Sequence, residues 1–219
     1  MGKINFGAPR ADIQFLKTQH ATRVFVETGT FQGETTRWAA SIFDQVITIE
    51  GFKTHYESAA RNLANLKNVE CVFGDSRTAL GQVLGKISHA PTLFWLDAHW
   101  MPGSFGDTAE CPILEELNLI GEMSTAPIIL IDDARLFLAP PPHPHRASDW
   151  PSLNEVIAVL SKKSRYTVIY DDVIFSVPEA LKEATMKFFQ DKTTEEYQAK
   201  IQLKRPSIAR RVARQVLGK

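Results

Sequence analysis

Val24-Phe25-Val26-Glu27-Thr28-Gly29-Thr30-Phe31-Gln32-Gly33-Glu34-Thr35-Thr36 is the stretch on which the reading of the whole chain turns. An apolar, β-branched run ends in an acid and breaks into a turn punctuated by two glycines, and a polar, then helical segment follows to about Ala40. Strand, tight loop and helix start in succession would present backbone N–H groups and a positive helix end to a ligand. Gly29 and Gly33 mark places where a missing Cβ would let a ligand lie against the main chain. Glu27, at the carboxyl end of the strand, could hold a cationic group.

The same rhythm continues outward. A short helix is expected over 11–20, the first strand over 23–27 and a helix over about 34–43. The second strand is Val46-Ile47-Thr48-Ile49-Glu50, followed by a helix at about 53–66. The third, Val69-Glu70-Cys71-Val72-Phe73, ends at Gly74-Asp75-Ser76, with Ser76 a candidate N-cap. Strand four is Thr92–Asp97, then comes a long loop at 98–110 and a helix over about 112–121. Strand five is Pro127–Asp132. Ser152-Leu153-Asn154-Glu155 is a capping box that opens a helix to about 162. Tyr166–Tyr170 and Val173–Val177, around Asp171-Asp172, form a hairpin. Five β-α units with near-continuous apolar strands imply a parallel sheet covered on both faces. The expected organisation is a domain over 1–178 and a helical extension with a basic tail over 179–219.

Composition narrows the function classes. Lys plus Arg and Asp plus Glu balance at 25 each in 219 residues, so no global field draws the chain to nucleic acid or an acidic membrane. Two cysteines, Cys71 and Cys111, are too few for a disulfide framework. Met1–Phe6 has no apolar core of a signal peptide, and no window approaches a membrane span, so a soluble, cytoplasmic protein is expected.

The glycine spacing decides the ligand class. A dinucleotide site needs G-x-G-x-x-G, but counting from Gly29 the places of its second and third glycines hold Phe31 and Glu34. The pattern present is E-x-G-x-x-x-G, and here the chain resembles the class I S-adenosylmethionine (SAM)-dependent methyltransferases. That resemblance, over about residues 22–177, implies a Rossmann-like three-layer α/β/α fold. Its mostly parallel seven-stranded sheet would end in an antiparallel hairpin, with strand order 3-2-1-4-5-7-6. It further implies that Glu27 and the loop residues Thr28, Gly29, Thr30 and Gly33 hold the methionine end of SAM.

Acids recur at the strand ends: Glu27, Glu50, Asp75, Asp97 and Asp132-Asp133. In an open parallel sheet this is the rim where ligands bind. The resemblance gives Glu50 the ribose hydroxyls, places Gly51 and Phe52 beside the nucleoside, and sets Gly74, Asp75 and Ser76 at the adenine edge. Asp97 completes the cofactor set. Asp97, Asp132 and Asp133 come from two adjacent strands, and three anions in one place call for a cation or protons. Oxygen ligands suit Mg²⁺. The trio is similar to the metal site of catechol-type and macrocin-type O-methyltransferases, with two departures. The third ligand there is usually Asn, where this chain has Asp133, and the catalytic Lys position holds Trp100. His99, beside Asp97, is then the candidate base.

These residues predict a SAM-dependent methyltransferase that O-methylates a small hydroxylated or sugar-like acceptor with a divalent metal. The alternatives are a metal-independent enzyme of the same fold, a SAM- or partner-binding domain without turnover, and an arginase-like metallohydrolase. The last rests on Asp97-Ala98-His99, and its second acid position holds Met101. The 98–110 loop is a candidate acceptor lid, and Pro140–Arg146 a stiff solvated connection. The acid-free tail from Ala199, with a basic amphipathic stretch after Pro206, predicts docking on the domain or on a second copy in a homodimer. No Asn/Asp-Pro-Pro-aromatic motif follows strand four, which argues against a nucleic-acid substrate.

Overall fold

The computed structural model describes residues 7–87, 89–99 and 109–204. Most of the expected acceptor loop, including Trp100 and Met101, and the basic stretch after Pro206 lie outside the described residues. Two compact units divide the chain, Met1–Lys182 and Glu183–Lys219.

In the first unit, helices and strands alternate: α1 (Arg10–His20), β1 (Val24–Thr28), α2 (Glu34–Ala39), β2 (Gln45–Glu50), α3 (Lys53–Leu63), β3 (Val69–Phe73), α4 (Ser76–Ile87) and β4 (Thr92–Leu96). There follow α5 (Ile113–Gly121), β5 (Ile128–Ile131), the one-turn α6 (Arg135–Leu138), α7 (Leu153–Leu160), β6 (Arg165–Tyr170) and β7 (Val173–Pro178). The sheet order is β3-β2-β1-β4-β5-β7-β6, as the resemblance implied. β1 to β5 run parallel, and β7 pairs antiparallel with both β5 and β6.

Burial follows position in the sheet. Every residue of β1, β4 and β5 is buried, which is why these strands read as unbroken apolar runs, whereas the edge strands β3 and β6 are only half-buried. Phe25, Phe94 and Trp95 are fully enclosed, and side chains of this size contribute about 1.5–3 kcal/mol each by leaving water. α7 opens on the expected box: Ser152 Oγ accepts the Glu155 N–H, and the Ser152 N–H donates to Glu155 Oε2 at 2.8 Å. α4 departs from expectation. Asp75 Oδ1 accepts the Arg77 N–H at 2.9 Å, so the cap is Asp75 and not Ser76.

The hairpin is tied to the rim. At its turn Asp171 takes a left-handed φ of 50°, and the Asp172 carboxylate accepts the Arg135 N–H at 2.9 Å while its carbonyl accepts the Ala134 N–H at 2.8 Å. The segment after β5 is thereby held to the β6–β7 turn. The second unit is described by α8 (Lys182–Lys204), a 23-residue helix that lies within the stretch 179–219 read as a helical extension. Its composition is polar with no strong apolar stripe, and an i,i+4 pair joins Lys187 to Asp191 at 2.7 Å. Among the described residues no helix is long and apolar enough to cross a membrane.

Candidate functional site

The strand order reverses between β1 and β4, and a cavity of about 460 Å³ opens there, beyond the carboxyl ends of β1, β2 and β4. This is the switch-point position at which open α/β sheets bind ligands, and the volume suits a small molecule. Glu27, Gly29, Thr30, Glu50, Gly51 and Asp97 line it, with Gly74, Ser76 and His99. Four other expected cofactor residues, Thr28, Gly33, Phe52 and Asp75, do not line it and support it from behind.

The glycines of the first loop also allow close approaches within the protein. Gly29 has φ +86°, and a Cβ there would lie 2.3 Å from the Asp97 carbonyl oxygen. Gly33 has φ +80°, and its Cβ would press to 2.9 Å from Leu63 Cδ1. The missing Cβ admits the end of β4 at one position and α3 at the other. Between them Phe31 is also left-handed, at φ 48°, which turns its N–H onto Glu50 Oε2 at 2.9 Å.

Glu50 is thus gripped from two sides, since its Oε1 accepts the Phe52 N–H at 2.8 Å. Two backbone donors fix the carboxylate at the cavity wall, with lone pairs left for further donors. Glu27 sits deeper, 2 % exposed, and its Oε2 accepts the Thr36 and Thr48 hydroxyls, the latter at 2.7 Å. Thr48 also pairs with Thr30 at 2.6 Å. Burial outweighs these hydroxyls and raises the Glu27 pKa to about 7. Beside Ser76, Glu116 of α5 is buried too and raised to about 7 by burial, against hydrogen bonds from Ser76 and Thr28. Ser76 and Thr28 therefore each face an internal acid.

The corner at the ends of β4 and β5 is built differently. His99 Nε2 lies 2.7 Å from Asp133 Oδ2, and its Nδ1 lies 3.7 Å from Asp97 Oδ1. Arg135 NH1 bridges the other oxygen of Asp133 to Asp172. Burial would lower the His99 pKa, but the Asp133 hydrogen bond and the charges of Asp97, Asp133 and Asp132 overcome it and push it up to about 9. At neutral pH His99 therefore already carries a proton, contrary to the expectation of a base ready at pH 7. Asp133 moves the other way: burial opposes it, yet His99 and Arg135 hold it below the usual carboxylate range. Asp132 is raised to about 7 by burial first and by Asp133 second, and Asp97 is raised by burial, against His99 and reinforced by Asp132.

The structure does bring Asp97, Asp132 and Asp133 to one corner. Asp133 nevertheless turns both oxygens to cations, and Asp132 Oδ1 accepts the Asp133 N–H at 2.8 Å. Among the described residues no group of three His, Cys, Asp or Glu side chains is arranged to hold a metal ion. Asp133, engaged by His99 and Arg135, is therefore not free to complete a three-carboxylate Mg²⁺ site.

A second cluster escaped sequence reading. Glu110, 4 % exposed, accepts Trp150 Nε1 at 2.8 Å and the Arg146 N–H at 3.0 Å, and it pairs with His145 Nδ1 at 3.1 Å. Burial would raise its pKa, but these partners bring it below the ordinary value. The Pro- and His-rich segment is therefore clasped to the domain at its end, not simply solvated. Trp150 then lies 5.7 Å, ring to ring, from His99 and forms the apolar flank of the acceptor corner. A lone Trp closing a Pro-rich loop was the one local signal for it.

No family model matches the chain, and no curated protein matches it. Solved structures do. A proposed O-methyltransferase from Klebsiella pneumoniae is similar at TM-score 0.54 and 18 % identity, over 81 % of this chain and 83 % of that one. A proposed caffeoyl-CoA O-methyltransferase from Staphylococcus aureus gives 0.53 and 17 %, over 80 % and 86 %. A proposed methyltransferase from Streptococcus mutans, in complex with SAH (S-adenosylhomocysteine), gives 0.55 and 12 %, over 79 % and 99 %. The fold is that of the class I SAM-dependent methyltransferases. On this methyltransferase fold the cavity between the β1 and β4 loops occupies the ligand position of the sheet, and the two carboxylates Glu27 and Glu50 stand on one side of it with Asp97 and His99 on the other.

Proposed function

We propose that the chain is a SAM-dependent methyltransferase that transfers a methyl group to a hydroxyl of a small acceptor. One observation carries this reading: Glu50, its carboxylate fixed by the Phe31 and Phe52 N–H groups, shares a single switch-point cavity with Glu27, Asp97 and His99. SAM, when bound, supplies a methyl on a sulfonium that leaves as a neutral thioether. The chain's own residues do the rest. Glu50 accepts the two ribose hydroxyls, Glu27 sets a negative potential at the methionine end, and the Gly29–Gly33 loop gives the backbone contour between them. Asp97 and His99 face the acceptor. His99, once neutral, accepts the hydroxyl proton as the methyl arrives, and Asp133 fixes its ring by the bond to Nε2.

A second reading adds Mg²⁺ at Asp97 and Asp132, and it is favoured by one observation. The Asp97 carboxyl is pushed up partly by Asp132, a repulsion that a divalent cation would relieve. Because Asp133 is engaged by His99 and Arg135, no step of the mechanism is assigned to the ion.

Calorimetry with S-adenosylhomocysteine tests the cofactor reading, and an assay of phenols, diols and sugars with labelled SAM tests transfer. Micromolar binding that weakens about 100-fold in Glu50→Gln, the scale of two charge-assisted hydrogen bonds, supports it. Binding unchanged by that substitution contradicts it. Full activity in excess EDTA removes the metal reading, and loss restored by Mg²⁺ establishes it.

A further inference from the structure

A second cavity, of about 280 Å³, lies at the opposite edge of the sheet, at the amino-terminal ends of β5 and β6 and the carboxyl ends of α5 and α7. Its walls are apolar: Leu117 and Ile120 from α5, Ile129 from β5, Val159 and Leu160 from α7. Its rim is basic. Lys162, Lys163 and Arg165 line it against a single acid, Glu122.

None of these three cations has a carboxylate partner among the described residues. Lys162 Nζ donates to Asn118 Oδ1 at 2.9 Å and Lys163 Nζ to the Met123 carbonyl at 2.7 Å. Arg165 donates through Nε to Ser176 Oγ at 2.8 Å and through NH2 to the Pro127 carbonyl at 2.6 Å. Lysines near a helix carboxyl end have a structural use, since they offset its partial negative charge. That use explains Lys163 on the Met123 carbonyl. It does not explain Arg165, which begins a strand and whose half-buried guanidinium is bonded only to neutral oxygens, its pKa lowered to about 10 by burial alone. A cation removed from water is expected to be paired. Here the neutral acceptors satisfy geometry and leave the charge uncompensated, facing an apolar hollow.

We infer that this cavity binds a small amphipathic anion, with its apolar body against Leu117, Ile129 and Leu160 and its monoanionic head against Lys162, Lys163 and Arg165. Carboxylates with a short alkyl or aryl body have that chemistry. The site is separate from the switch-point cavity and requires neither SAM nor an acceptor.

Octanoate is the probe, with octanol as its neutral counterpart, titrated calorimetrically into the full chain with and without excess S-adenosylhomocysteine. Two variants keep the test independent of Arg165, which also joins β5 to β7. Lys162→Glu/Lys163→Glu reverses the exposed part of the rim. Gly121→Leu fills the cavity from α5, where an added Cβ would meet nothing within 4 Å. The expected result is saturable octanoate binding that octanol does not reproduce. The charge reversal should weaken it about tenfold, as reversed partly exposed charges do, Gly121→Leu should abolish it, and S-adenosylhomocysteine should leave it unchanged. Equal binding of octanoate and octanol overturns the inference. So does competition with S-adenosylhomocysteine, an octanoate affinity indifferent to both variants, or no octanoate binding at all.

Discussion

The two halves of the rim hold their carboxylates in opposite ways. On the β1–β2 side Glu27 and Glu50 are gripped only by neutral donors, threonine hydroxyls and backbone N–H groups, so their negative charge remains available to a ligand. On the β4–β5 side Asp133 is neutralised internally by His99 and Arg135, and Asp172 closes the chain from the hairpin. On the proposed reading, a half that waits for a cation and a half that supplies its own suit transfer from a sulfonium to a hydroxyl. One side must attract a positive donor, and the other must handle a proton without doing so.

Gly29 is the seam between the halves, and breaking it should have the largest effect. Gly29→Ala meets both a φ of +86° and the Asp97 carbonyl at 2.3 Å; it should cost more than ~3 kcal/mol in urea unfolding. A cost under ~1 kcal/mol would mean that the two loops are not held in register.

Next comes a crossed pair of substitutions. Asp133→Asn leaves Arg135 to Asp172 and takes from His99 its nearest carboxylate, and should cost about 2–3 kcal/mol of stability, with S-adenosylhomocysteine affinity changed less than about twofold. Glu50→Gln should do the reverse, with stability within ~1 kcal/mol and affinity down about 100-fold. If both substitutions shift both readouts alike, the contrast between the halves is wrong.

Glu27 sharpens the comparison through pH. Its folded pKa is about 7 against an ordinary 4.5, so the stability it contributes is fully present below pH 4.5 and lost as pH rises through 7. Glu27→Gln keeps an oxygen for both threonine hydroxyls and removes the buried charge. It should stabilise the ligand-free chain by about 2 kcal/mol at pH 8, with little change at pH 4.5, in paired denaturant titrations. On the other side, with His99 raised to about 9, log kcat should climb with pH and level off near that value. His99→Gln should flatten the profile and lower the plateau about 100-fold.

How much of this was legible beforehand follows from the range of each interaction. β1, β4 and β5 announced themselves because fully buried strands are continuous apolar runs, and the strand-end acids Glu27, Glu50, Asp97 and Asp132 follow directly from where those runs stop. The capping box at Ser152 is local and was equally plain. What stayed hidden is non-local. Glu110 meets Trp150 across 40 residues, and no periodicity links an acid after one loop to an indole after another. Arg135 gave no sign in the sequence, since its role depends on Asp172 in the hairpin turn. The glycines were singled out, but the packing of Asp97 and Leu63 against them was not visible: a sequence shows that a Cβ is absent, not which part of the chain comes close. α8 lacks a marked apolar stripe, so the helical extension was expected without its bounds.

A crystal structure of the chain with S-adenosylhomocysteine tests the central claim most directly. The ribose hydroxyls should lie within hydrogen-bond distance of the Glu50 carboxylate, with the sulfur between the Gly29 loop and the Asp97–His99 corner. A nucleoside bound away from Glu50, or a Gly29–Gly33 loop with no contact to it, would contradict the account.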